Sequence, residues 1–128
     1  MSRYEKGANF ERELVAKFWR HGWASMRAAG SGTSSFPVPD VIGIRGDKII
    51  IVECKTTKKD RLSLKKAILA LKKFSDICDG KAYIAIKFFK KEPRFFELNK
   101  LLLRKGYTVT IHDRFLNLDS LLGEQKTL

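Results

Sequence analysis

Long apolar runs are missing from this 128-residue chain, the longest being short stretches such as Ile49–Val52 and Ile84–Ile86. No segment approaches the ~20 apolar residues that a membrane-spanning helix needs. The opening, MSRYEKGANFERE, is charged and has no apolar h-region, so no signal peptide is expected. Cysteine is nearly absent: Cys54 and Cys78 have no metal-ligand spacing and read as buried free thiols of a reducing compartment, the cytoplasm or its nucleoid. Proline is limited to three residues, and Asn and Gln are scarce beside abundant charge, a pattern seen in thermophilic proteins. Acidic residues are the minority among the charges. Twenty-six Lys and Arg face 14 Asp and Glu, for a formal net charge of +12. An excess of that size in a small chain points to a polyanionic partner, most often nucleic acid. The length accommodates one domain spanning 1–128, with no internal repeat or linker.

The informative stretch is PDVIGIRGDKIIIVECK, Pro39 to Lys55. Two β-branched runs, VIGI and IIIV, flank the turn dipeptide Gly46-Asp47, the pattern of a β-hairpin. Alternation along the second strand puts Glu53 and Lys55 on one side and Val52 and Cys54 on the other. The hairpin folds Asp40 back beside Glu53. Two carboxylates and an ammonium then meet at one end of a sheet, the arrangement of a divalent-metal phosphodiesterase. Mg²⁺ takes oxygen ligands, commonly one or two carboxylates with waters and phosphate oxygens completing the shell. A neighbouring lysine can orient the attacking water or stabilise developing negative charge. An ordinary solvated Glu–Lys pair would give the same short pattern. Its position at the end of a very apolar strand, in a basic chain, favours the catalytic reading.

Around that hairpin, residues from about Tyr4 to His21 have helical periodicity, with Phe10, Leu14, Val15, Phe18 and Trp19 as the apolar stripe and Gly22 as the stop. Glu11 falls at the edge of that stripe. It could look into a cleft as a further metal or water ligand, or simply complement the helix dipole. Trp23–Ala28 is expected to be a strand, followed by the Gly/Ser/Thr/Pro-rich connection that holds Ser31 and leads to Asp40. Its small residues suit phosphate contact. Leu62–Cys78 reads as a second helix with Leu64, Ile68, Leu71, Phe74, Ile77 and Cys78 inward, and Lys65, Lys66, Lys72 and Lys73 outward. With Lys58 and Lys59, those lysines form either a solvated face or a DNA-facing wall. Strands are expected at Lys81–Phe88 and Arg94–Leu98, a helical turn at Asn99–Lys105 and an outer strand at Tyr107–Ile111. The tail FLNLDSLLG is apolar enough to dock on its own domain or on another subunit. The element order implies an α/β domain, a central mixed sheet with helices against it.

The segments KGANFEREL and RAAGS, with PD and ECK, resemble the archaeal Holliday-junction resolvases of the PD-(D/E)xK nuclease superfamily, and LLGEQKTL resembles that family's tail. The resemblance implies a restriction-endonuclease-like fold. It implies Glu11, Asp40 and Glu53 as metal-site residues, Lys55 as the catalytic lysine and Ser31 as an active-site serine. Arg12 and Arg27 match basic residues tied to DNA binding or cleavage, and Phe74 matches an aromatic of the second helix. The position four residues on, a second aromatic in the family, is Cys78 here. The resemblance further implies Mg²⁺, with Mn²⁺ as a substitute, and a homodimer nicking opposed strands of a four-way junction. Two other functions remain open at this point: a nuclease for linear duplex or flap DNA, and a basic DNA-binding protein without catalysis. Competition between a junction and its component duplexes separates the first, and failure to nick in Mg²⁺ or Mn²⁺ would favour the second.

Overall fold

The computed structural model describes residues 3–29 and 35–122. The Gly46-Asp47 turn, with Gly46 at a φ of 60°, joins strand β2 (Val41–Arg45) to the ten-residue β3 (Lys48–Thr57). Their antiparallel register sets Val41 opposite Val52 and Arg45 opposite Lys48. Strand β1 (Ala24–Arg27) pairs with β2 on the outer side. On the other side β3 runs parallel to β5 (Lys81–Phe88), which pairs antiparallel with β6 (Arg94–Glu97). The five-stranded sheet is therefore mixed, in the order β1-β2-β3-β5-β6. Parallel neighbours need a crossover, and helix α2 (Lys65–Cys78) lies within it.

Alternating apolar side chains on β3 divide the core in two. Ile50, Val52 and Cys54 face helix α1 (Arg3–Arg20), where Phe10, Leu14 and Phe18 pack with Trp23. Ile51 faces the opposite layer with Ile68 and Leu71 of α2. Close approach of α1 to the sheet depends on Gly43, where an added Cβ would lie 2.5 Å from the Phe18 ring. Only a residue without a side chain admits that ring. The apolar tail docks as expected of its composition, for Leu118 and Leu122 of the short helix α4 (Leu118–Leu122) are buried in the α1 layer. The final residues of the chain, including the rest of that expected tail motif, lie outside the described residues.

Several expectations need correction. Trp19 is exposed, not part of the inward stripe: Phe10, Leu14 and Phe18 at four-residue spacing fill the contact, and one further position turns the side chain about 100° outward. Its indole N–H donates to the Ser25 carbonyl at 3.1 Å. Ile77 is likewise exposed. Leu62 does not begin α2. It lies in strand β4 (Arg61–Ser63), which pairs with β7 (Thr108–Thr110) in a separate two-stranded sheet. The strand expected at Tyr107–Ile111 thus finds its partner there, with Leu62 opposite buried Val109. The helical turn falls at α3 (Leu98–Leu102), taking the last residue of the expected β6. No helix among the described residues is long and apolar enough to cross a membrane.

Candidate functional site

Register alone brings the acidic residues of the hairpin together. Asp40 precedes β2, and its N–H donates to the Val52 carbonyl at 3.1 Å while its own carbonyl accepts the Ala28 N–H at 2.9 Å. The carboxylate oxygen Oδ2 accepts the Cys54 N–H at 2.8 Å. Asp40 is thereby fixed between β1 and β3, and it is the one buried charged residue among those described, 7% exposed. Glu53 on β3 lies close enough for the Asp40 charge to act on its carboxyl, and like charges so placed disfavour ionisation. Burial, reinforced by the Asp40 charge and opposed by Lys55, pushes the Glu53 carboxyl up to about 8. Glu53 is thereby biased towards its protonated form. Lys55 Nζ lies 3.8 Å from Glu53 Oε2 on the same strand face.

Glu11 reaches the same region from α1. Its Oε1 accepts a hydrogen bond from Arg27 Nε at 3.3 Å, joining helix and edge strand in an ion pair that is mostly screened from water. Burial raises the Glu11 carboxyl, Asp40 raises it further, and Arg27 and Arg12 oppose both. The sequence resemblance assigned Arg27 to DNA, and the structure gives it the Glu11 carboxylate as a partner. Arg12 is exposed, with Nη1 3.2 Å from Asn9 Oδ1. Cys54 and Cys78 are half-buried free thiols rather than fully buried ones, and desolvation together with the nearby carboxylates raises the Cys54 thiol well above its ordinary value.

The remaining candidates are dispersed. Lys58 and Lys59 follow β3 and line a groove of about 730 Å³ with Lys6, Lys87 and Lys90. Lys66 is exposed on α2, in a different layer. Phe74 packs half-buried against the α2-side core. Ser31 lies outside the described residues. Sequence reading passed over Lys87, Phe89 and Lys90. Their local signal was the FFKK run just past β5, and only the parallel β3–β5 pairing puts it beside Lys58.

Among the described residues no three His, Cys, Asp or Glu side chains are grouped so as to enclose a metal ion. The donor chemistry of Asp40 and Glu53 is nevertheless that of a hard-cation site: their neighbouring carboxyls would offer oxygen ligands, with water and phosphate oxygens in the remaining positions.

Residues 2–128 match the family model described as archaeal Holliday junction resolvase (hjc). The chain is 37% identical over 97 residues to a protein named crossover junction endodeoxyribonuclease Hjc from Archaeoglobus fulgidus, covering 75% of this chain and 71% of that one. A protein of the same name from Methanocaldococcus jannaschii is 41% identical over 87 residues, covering 67% of this chain and 62% of that one. The fold is similar to the solved structure of Archaeoglobus fulgidus Hjc, described as a Holliday junction resolvase from an archaeal hyperthermophile. The TM-score is 0.78 at 30% identity, covering 91% of this chain and 98% of that one.

Proposed function

The chain belongs to the archaeal Holliday junction resolvase family, and we propose that it is a structure-selective endodeoxyribonuclease resolving four-way DNA junctions through paired, Mg²⁺-dependent nicks. The observation that carries this reading is the Asp40–Glu53 carboxyl pair with Lys55 Nζ 3.8 Å from Glu53. Buried carboxylates would repel a phosphate unless a cation lies between them, and a purely DNA-binding protein has no use for them.

Asp40 and Glu53 would hold Mg²⁺, or Mn²⁺ in its place. Once bound, the ion supplies Lewis-acid polarisation of the phosphate and a more acidic water. The protein's residues do the rest. The Cys54 N–H and the backbone bonds of Asp40 keep its carboxylate aimed before substrate arrives. The Glu53 proton would be displaced to solvent on cation binding, leaving its carboxylate as a ligand. Lys55 is positioned to orient the attacking water or to stabilise charge on the phosphate oxygens as the P–O ester bond breaks. Glu11, restrained by Arg27, adds a second-rank ligand or water acceptor. Ser31, from the connection preceding Asp40, would contact the phosphate.

Arg12, Lys58, Lys59 and Lys66 supply phosphate contacts without base readout, so junction selectivity comes from the shape of branched DNA. Phe74, half-buried against the α2-side core, is the aromatic of the second helix that the resemblance ties to DNA binding. A homodimer matches a two-fold symmetric junction and allows two nicks in opposed strands. What supports it in the fold is a pair of exposed apolar side chains: Met26, opposite Ile42 of the α2-side layer, and Ile77 on α2, 87% exposed. We place the enzyme with the nucleoid in the cytoplasm, in recombination and repair. The test is nicking of a synthetic junction with Asp40→Asn, Glu53→Gln and Lys55→Ala. Each is expected to abolish cleavage and retain binding, and equal nicking by the variants would remove the assignment.

A further inference from the structure

The groove beyond the carboxylates combines positive charge with an exposed aromatic ring. Thr57, near the end of β3, pairs with Phe88 at the end of β5, so the residues that follow, Lys58 and Phe89, leave the sheet side by side. Five lysines line the groove, Lys6, Lys58, Lys59, Lys87 and Lys90, against the single acid Glu13. Phe89 sits at its rim, 54% exposed. Lys58 Nζ lies 5.7 Å from the Phe89 ring centre and Lys90 Nζ 5.3 Å.

The turn that presents this ring is not relaxed. The Lys91 N–H donates to the Phe88 carbonyl at 2.9 Å, closing a four-residue turn with Phe89 and Lys90 at its corners. Lys90 has a φ of 60°, a conformation that glycine adopts without cost and lysine does not. The chain thus keeps a cation at a strained corner beside an aromatic ring that would bury more area elsewhere. An apolar core does not need this, and a solvated turn does not need the phenyl group. A polyanion carrying flat apolar faces needs both.

We propose that Phe89, held between Lys58 and Lys90, stacks on a base left unpaired or unstacked at a DNA branch point, and so determines the preference for branched over linear DNA. This rests on the junction-nuclease reading and adds a residue to it. Lys58 lies five residues along the strand from Glu53, ~17 Å at about 3.3 Å per residue. That is about half a turn of duplex, a span over which one bound DNA could meet both the carboxylates and the groove. In an intact duplex the base faces are covered by their neighbours, and the ring has nothing to stack on. At a branch point a face is free. The lysines hold phosphates of either substrate, whereas the ring recognises one.

The experiment measures affinity and nicking rate for a four-way junction and for a linear duplex of matched sequence, using wild type, Phe89→Ala, Phe89→Leu and Phe89→Trp. Thermal unfolding of each variant accompanies it. Loss of one stacked base predicts junction affinity lower by on the order of tenfold in Phe89→Ala, with duplex affinity and melting temperature unchanged. Phe89→Leu, which keeps apolar bulk without a π face, should behave like alanine, and Phe89→Trp should recover the wild-type preference. Equal losses on junction and duplex, or a leucine variant indistinguishable from wild type, would overturn the role of the ring. Failure of wild-type protein to nick any branched DNA would overturn the nuclease reading itself, an outcome seen in the first row of the assay rather than in the variants.

Discussion

Glu53→Gln should make the apo protein more stable at neutral pH, because the wild-type carboxyl is held above its ordinary range by the fold. The Glu53 carboxyl moves from an ordinary 4.5 to about 8 in the fold, first because it is buried and next because Asp40 is beside it. Between those two values the folded state holds a proton that the unfolded state has released. Stability contributed by the protonated carboxyl is therefore complete below pH 4.5 and is lost as pH rises towards 8. By pH 7 about 2.5 units of the window have been crossed, equivalent to ~3 kcal/mol at 1.36 kcal/mol per unit. The side chain is 21% exposed, and allowing for the water that reaches it leaves about 2 kcal/mol. Glutamine is nearly isosteric with protonated Glu53 and does not ionise. Urea unfolding in EDTA at pH 5, 7 and 9 should show wild type losing stability with pH from this group and Glu53→Gln lacking that loss, with a gain of about 2 kcal/mol at pH 7. That corresponds to a rise of roughly 6–10 °C in Tm. If the proposed Mg²⁺ site is correct, millimolar Mg²⁺ should raise the stability of wild type more than that of Glu53→Gln. Identical pH profiles for the two proteins would mean that Glu53 ionises freely and is not held against Asp40.

Other perturbations reach different parts of the account. Gly43→Ala places a methyl group against the Phe18 ring and should cost ~1–3 kcal/mol in urea unfolding, with α1 and hence Glu11 displaced. Lys58→Ala should weaken binding to junction and duplex alike and reduce the slope of log affinity against log salt by about 1, one phosphate contact, read from titrations across a salt series. Cys54 should alkylate more slowly in the native protein at pH 8 than in urea, as mass mapping would show, because its half-buried place beside the carboxylates disfavours the thiolate.

The hairpin was legible because its signals are local. A two-residue turn with glycine at positive φ fixes the register, the register puts Asp40 beside Glu53, and strand alternation puts Lys55 with Glu53. Helix α1 was legible for the same reason, except at Trp19, where one residue of phase separates the core from the surface. Pairing between distant segments was not. Leu62 has the spacing of the α2 stripe, and nothing near it in sequence announces that Val109 lies opposite. The Glu11–Arg27 pair and the lysine groove depend on which strands become neighbours. Parallel pairing of β3 with β5 puts the KK that follows Thr57 beside the FFKK run, a proximity that no window along the chain contains. Composition anticipated DNA as the partner, since +12 over this length has few other uses, but it could not locate the surface.

The most direct test of the central claim is strand-resolved mapping of cuts in a synthetic four-way junction incubated with the protein and Mg²⁺, with Asp40→Asn alongside. The account predicts symmetric nicks in two opposed strands by wild type, and a variant that shifts the junction in a gel without cutting it. Cleavage by Asp40→Asn at the wild-type positions and rate would contradict it.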